Sequence, residues 1–259
     1  MHVFICPDYD ALSRKAAALV ADLVRAKPGA VLGFATGSSP VGLYQELIRL
    51  HKEEGLDFSG VTTFNLDEYC GLQGDHPQSY RYFMNENLFD HINVPKEKTH
   101  VPSGTAENWR DSCEGYERDI VAAGGIDLQV LGIGSDGHVA FNEPGSSLGS
   151  RTRRVYLTKQ TIEDNSRFFE NAADVPTSAI SMGVGTIMEA RRCVMVVNGA
   201  NKAEALAAAV EGPVTSMNTA SALQYHPDTW LFCDEAAAAN LAMREYYGWI
   251  AKQMEADAS

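Results

Sequence analysis

Residues 30–40 read Ala30-Val31-Leu32-Gly33-Phe34-Ala35-Thr36-Gly37-Ser38-Ser39-Pro40: a short apolar run, a Gly/Ser/Thr loop and a proline. Apolar residues on consecutive positions suit a parallel strand covered on both faces. Pro40 suits the start of a helix, where its missing N–H costs no hydrogen bond. The same alternation continues outward in both directions. Strands are predicted at His2–Cys6, Ala30–Ala35, Val61–Leu66, Asp127–Ile133, Arg154–Leu157, Arg192–Asn198 and Thr229–Cys233, with helical segments between them. In the first helix Leu12, Ala16, Leu19 and Leu23 recur at helical spacing, with Arg14, Asp22 and Arg25 elsewhere on the turn. Asn201-Lys202-Ala203-Glu204 opens an Ala-rich helix after the strand ending at Asn198. This order predicts an α/β protein with a single doubly wound, mainly parallel sheet. In such folds ligands collect at the carboxyl ends of the strands, so the segments that follow strands carry the function.

The chain has 259 residues, enough to bury a large core without disulfides or metals. No linker, repeat or low-complexity segment divides it, and residues 1–259 are read as one domain. Twenty-one Lys and Arg against thirty-four Asp and Glu give a net charge of −13, which argues against nucleic-acid and anionic-membrane partners. An anionic small substrate would need donors gathered locally. The five cysteines contain no CxxC pair, so neither a zinc site nor a disulfide framework is expected. Cys6, Cys193 and Cys233 lie in or beside apolar runs and read as small core residues. The seven histidines show no pair at ligand spacing, and no metal is expected. The first ten residues lack the basic start and long apolar run of a signal peptide, and no run reaches the ~20 apolar residues of a membrane helix. A soluble cytoplasmic protein is expected.

Three segments that follow strands draw attention. Thr36-Gly37-Ser38-Ser39 enters a helix and offers backbone N–H groups, hydroxyls and a favourable dipole to a phosphate, although an ordinary helix entry reads the same way. It lacks the Gly-Lys-Ser/Thr of a Walker loop. Asp67-Glu68 stands where an α/β enzyme would hold a general base, and equally where two acids would cap a turn. The third segment is Gly134-Ser135-Asp136-Gly137-His138-Val139-Ala140-Phe141-Asn142-Glu143-Pro144-Gly145. A carboxylate beside an imidazole can fix its tautomer and let it pass protons to a substrate oxygen. Gly132-x-Gly134-x-x-Gly137 fits a dinucleotide fingerprint, but no clear helix follows and the acid expected ~20 residues on is missing. Gly145-x-Ser147-x-Gly149 has nucleophile-elbow spacing without the preceding strand. Arg151, Arg153 and Arg154 read as a solvated edge, and Arg167 and Lys202 as cations near the loops.

Taken together, Ala35–Pro40, Asn65-Leu66-Asp67-Glu68-Tyr69, Leu131–Gly145, Asn165-Ser166-Arg167-Phe168-Phe169 and Ala209-Val210-Glu211-Gly212-Pro213 resemble the glucosamine-6-phosphate deaminase family, in its order and approximate spacing. The resemblance implies a three-layer αβα sandwich of modified Rossmann type. It also implies conversion of D-glucosamine 6-phosphate and water to D-fructose 6-phosphate and ammonia, without a redox cofactor. By the same resemblance His138, oriented by Asp136 and Glu143, opens the sugar ring, and Asp67 moves the proton from C2 to C1. Thr36, Gly37, Ser38, Ser39, Arg167 and Lys202 would hold the phosphate.

The regulated hexameric branch of that family has basic and hydroxyl residues where this chain has Val155 and Tyr156, and an aromatic C-terminal contact with no match in Glu245–Ser259. An unregulated monomer or small homo-oligomer is therefore expected. A 6-phosphogluconolactonase, with a related fold and phosphate loop, would not need Asp67 followed by the Asp136/His138/Glu143 arrangement. A non-catalytic sugar-phosphate sensor would be expected to carry a helix-turn-helix and a basic face.

Overall fold

The computed structural model describes residues 1–166, 169, 171 and 174–257. Its strands are β1 (His2–Cys6), β2 (Val31–Phe34), β3 (Thr62–Asn65), β4 (Asp67–Tyr69), β5 (Thr99–His100), β6 (Leu128–Leu131), β7 (Arg153–Tyr156), β8 (Ser178–Ser181), β9 (Arg192–Val197) and β10 (Thr229–Asp234). The helices are α1 (Tyr9–Ala26), α2 (Val41–Glu54), α3 (Tyr80–Asn87), α4 (Trp109–Ala122), α5 (Lys159–Ser166), α6 (Val184–Met188), α7 (Ala203–Glu211) and α8 (Arg244–Asp257).

Local sequence accounts for the main helices. In α1 the Asp8 carboxylate accepts the Ala11 N–H at 2.7 Å, a standard N-terminal cap. Its buried stripe runs through Leu12, Ala16, Ala17, Val20, Ala21 and Val24, one position round from the expected face, and Leu19 and Leu23 lie half-buried at its shoulder. Pro40 caps α2, and Gly55 ends it in the left-handed conformation. Leu12, Leu43 and Leu47 are fully buried where α1 and α2 meet the sheet. Each such side chain contributes about 1.5–3 kcal/mol of hydrophobic stabilisation.

Seven strands form one parallel sheet in the order β1-β10-β9-β6-β2-β3-β5. One apolar cluster joins a face of this sheet to α1, α2 and α3, and a second joins the opposite face to α4, α6 and α7. The three-layer α/β sandwich is thus present. Between β2 and β6 the strand order reverses, and the loops leaving the two strands part to leave a crevice.

The single sheet was an incomplete expectation. β4, β8 and β7 form a second, antiparallel sheet with β8 in the middle. The run expected at Arg154–Leu157 belongs here rather than in the parallel sheet. Leu66 hinges the two sheets: its N–H donates to the Phe34 carbonyl at 3.1 Å and its carbonyl accepts the Met182 N–H at 2.7 Å. The residue after that hinge is Asp67.

Candidate active site

A cavity of about 590 Å³ opens at the carboxyl ends of β2, β6 and β9. Thr36, Gly37, Ser38, Ser39, Asp67, His138 and Lys202 all line it. Segments about 30 to about 165 residues apart in the sequence therefore meet around one space. Asp136 and Glu143 stand behind His138 rather than on the wall. Arg167 lies outside the described residues.

The loop 36–39 is held from below by Tyr9. Its hydroxyl lies 3.0 Å from the carbonyls of both Ser38 and Ser39 and accepts the Gly42 N–H at 2.7 Å. With its carbonyls drawn towards α1, the loop keeps N–H groups for the cavity. Among the described residues none of the Gly37, Ser38 and Ser39 N–H groups donates to a protein acceptor. A helix entry with donors in hand is an anion cradle.

The two adjacent acids separate into different tasks. Glu68 is bound into the backbone, its carboxylate accepting N–H groups from Tyr69 (2.8 Å), Tyr80 (2.9 Å) and Arg81 (3.0 Å), two of them at the start of α3. Asp67 is 5% exposed and receives no such bonds from the described residues. Burial, reinforced by the charge of Glu68, pushes its pKa up to about 8, while His138 pulls the other way. A cavity-lining carboxylate with a pKa near neutrality is suited to take and return a proton.

His138 sits on a tightly folded loop. Its carbonyl accepts the Gly134 N–H at 2.8 Å, and its ring packs where a Gly134 Cβ would lie, 2.4 Å from Cε1. Gly137 has φ +90°, and a Cβ there would meet Asn218 at 2.3 Å. Ala140 adopts φ 51°, a conformation non-glycine residues seldom take outside functional turns. His138 Nδ1 is 2.7 Å from Asp136 Oδ1 and 3.5 Å from Glu143 Oε2. The 2.7 Å approach is short but poorly aligned for a linear hydrogen bond, so it acts as an ion pair. Burial by itself lowers the His138 pKa, yet the two carboxylates outweigh it and raise it to about 9. Both carboxylates are correspondingly held below their usual range. The arrangement keeps a protonated imidazole, with Nε2 as the nitrogen available to a ligand.

A buried knot supports this loop. Asn142 is fully buried and donates to the carbonyls of Val139 (3.0 Å) and Met182 (2.9 Å). Its Oδ1 accepts from Arg153 at 2.9 Å. Glu143 Oε1 accepts the Thr158 N–H at 3.1 Å. The expected solvated edge holds for Arg151, which is exposed and pairs with Glu117 and Glu189, and for Arg154, but is corrected for Arg153, which is half-buried against the loop 134–145. Tyr80, Thr161, Asp164 and Asn165 also line the cavity and were not singled out in the sequence. They come from α3 and α5, neither of which follows a strand of the parallel sheet; only Asn165 lay in a stretch that the sequence had marked, as the first residue of Asn165–Phe169, and it was not assigned a role there.

Residues 8–231 match the family described as Glucosamine-6-phosphate isomerases/6-phosphogluconolactonase. The chain belongs to this family. It is 53% identical over 250 residues to the glucosamine-6-phosphate deaminase of Shewanella halifaxensis, covering 96% of this chain and 95% of that protein. To the enzyme of the same name from Thermoanaerobacter pseudethanolicus it is 50% identical over 238 residues, covering 92% and 94%. A solved structure of a monomeric glucosamine-6-phosphate deaminase superimposes with a TM-score of 0.91 at 43% identity, covering 93% of this chain and all of that one. The 6-phosphogluconolactonase of Trypanosoma brucei superimposes at 0.74 with 19% identity, a likeness of fold alone.

Proposed function

We propose that this member of the family converts D-glucosamine 6-phosphate and water to D-fructose 6-phosphate and ammonia. The observation that carries the reading is one cavity with an anion-cradling loop at one side and Asp67 and His138 at another. The likeness to deaminases at about half identity, over nearly the whole chain, supports the same choice within the family. A lactonase needs no base poised to remove a carbon-bound proton.

The phosphate sits on the N–H groups of residues 36–39, with Lys202 and Arg167 as the cations that make an acidic protein accept an anion. His138 gives its Nε2 proton to the ring oxygen, opening the sugar to the aldehyde, and Asp136 and Glu143 hold the imidazole in place. The ionised carboxylate of Asp67 removes the proton from C2, now acidic because it is α to a carbonyl, and returns it at C1. The C2–N bond has then become an imine, which water hydrolyses to the ketone and ammonia. No electrons enter or leave, so the chemistry calls for no redox cofactor. We further infer that residues 1–259 act as one catalytic unit in the cytoplasm, as a monomer or small homo-oligomer. No described helix is long and apolar enough to cross a membrane.

The test is direct. Purified protein given glucosamine 6-phosphate should release ammonia and fructose 6-phosphate in equal amounts. Hydrolysis of 6-phosphogluconolactone without ammonia release from the amino sugar would refute the proposal.

A further inference from the structure

We propose that Asp164 is a specificity-determining residue: its carboxylate, on α5, pairs with the ammonium group at C2 of the substrate and selects an amino sugar. This rests on the substrate reading given above. That substrate carries two charged groups, a phosphate at C6 and an ammonium at C2. The phosphate has the cradle of residues 36–39, and the ammonium needs an anion of its own. Among the described residues that line the cavity, two are carboxylates, Asp67 and Asp164. Asp67 must present its oxygen to the C2–H bond. Behind the wall, Asp136 and Glu143 are paired with His138, and Glu68 accepts three backbone N–H groups. Asp164 is left. Its carboxylate accepts only from neutral donors among the described residues, Gln160 Nε2 at 2.9 Å one turn earlier on α5 and Ser135 Oγ at 3.4 Å.

The place of Asp164 along the cavity suits that task. Gly132 lies beside the cradle, where a Cβ would come 3.9 Å from that of Ser39. The His138 ring packs on Gly134, and Asp164 bridges to the next residue, Ser135. The chain 132–135 therefore runs from the cradle to the end of the cavity where His138 works, and Asp164 stands at that end. C1 and C2 are the carbons handled there. A carboxylate in this cavity is otherwise a hindrance, because it repels a phosphate in a protein whose net charge is already −13. An ammonium within reach turns the repulsion into a charge-assisted hydrogen bond. The ketose product has lost the nitrogen, so Asp164 holds the substrate and not the product. A neutral amide or hydroxyl at C2 finds no ionic partner, and specificity is this difference in affinity. The contact is made in the ground state and kept in the transition state, so KM carries it rather than kcat.

The preference is read by calorimetric titration of the purified full chain, near neutral pH, with two acyclic ligands that differ only at C2. These are 2-amino-2-deoxyglucitol 6-phosphate and glucitol 6-phosphate. The native chain should bind the amino ligand more tightly. Asp164→Asn should weaken that ligand about five- to tenfold and leave the hydroxyl ligand unchanged or slightly tighter. KM for glucosamine 6-phosphate should rise by the same factor with kcat nearly unchanged. Asp164→Ala should lose the same preference, and keeps the test open if the Asn variant fails to fold. Equal weakening of both ligands, as a merely structural role in α5 would give, overturns the proposal. So does an amino ligand bound equally well by the native and Asp164→Asn chains, or a fall in kcat at unchanged KM. The titration needs no turnover: a native chain that prefers the amino ligand through Asp164 yet releases no ammonia would overturn the functional reading and leave this role standing.

Discussion

At the scale of single residues, the site depends on two groups whose protonation is reversed from the ordinary. Folding raises the Asp67 pKa from 3.8 to about 8, so the folded protein binds this proton more tightly than the unfolded chain. The resulting penalty on folding is absent below about pH 4, grows as pH rises, and is complete above about pH 8. Asp67→Asn removes it. The variant should match the native protein near pH 4 and exceed it at pH 9 by about 3 kcal/mol or more in urea unfolding; equal stability at pH 9 would show that Asp67 is not desolvated. The same variant should still bind a phosphate ligand while losing exchange of the C2 proton with solvent. In the native enzyme kcat/KM should rise with pH as Asp67 ionises near 8, and fall as His138 loses its proton near 9. The two limbs belong to a coupled pair. His138⁺ favours the Asp67 carboxylate, so His138→Gln should move the acid limb to higher pH while turnover falls by about 10²–10⁴-fold. An acyclic aminoalditol phosphate, which needs no ring opening, should still bind that variant nearly normally.

At the scale of elements, the parallel strands were legible because their residues are apolar on consecutive positions and alternate with long helices. β4 was not. Its three residues, Asp67-Glu68-Tyr69, have a poor composition for a strand, and it exists because β8 offers an edge and α3 offers N–H groups. β8 was hidden for another reason: Ser178-Ala179-Ile180-Ser181 is too short and too mixed to stand out. Asp67 could be nominated from its place after a strand, but its difference from Glu68 could not, since only the folded backbone shows which acid is occupied. Replacing Glu68 tests this division. Glu68→Gln turns one of two acceptor oxygens into a donor facing backbone N–H groups, and should cost about 1.5–3 kcal/mol, read as a lowered Tm. Removing its charge should also lower the Asp67 pKa and shift the acid limb to lower pH. A limb that stays in place while Tm falls would assign Glu68 to structure alone. On the other side of the cavity, Tyr9→Phe frees the carbonyls of Ser38 and Ser39 and one N–H at α2. Loss of about 1 kcal/mol of loop anchoring should raise KM about fivefold with kcat nearly unchanged. A fall in kcat at constant KM would mean that the loop serves the reaction rather than phosphate binding.

At the scale of the whole molecule, the question is whether the site answers to a second ligand. Allosteric control needs two states and an effector site that distinguishes them. In the regulated branch of the family, from which this chain departs, the effector site uses basic and hydroxyl residues where Val155 and Tyr156 stand. Val155 is buried in the small cluster beneath the second sheet, and Tyr156 is 73% exposed. Val155 offers no donor, and Tyr156 offers a hydroxyl without charge. Arg153 spends a guanidinium nitrogen on Asn142, inside the knot that carries Glu143, so it works within the resting site. Recruiting it to an effector would withdraw support from the loop that carries His138 and oppose activation. Arg151 is likewise committed to Glu117 and Glu189. Exposed ion pairs of this kind are each worth under ~1 kcal/mol. A tenfold bias between two states needs about 1.4 kcal/mol of differential binding, and Arg154, the other cation on this strand, already donates to Ser178 Oγ at 3.0 Å and lies over the Tyr156 ring. Initial rates against glucosamine 6-phosphate should therefore be hyperbolic, with the same KM in the presence of N-acetylglucosamine 6-phosphate. A sigmoidal curve that this effector renders hyperbolic would show that a discriminating site exists and would overturn this reading.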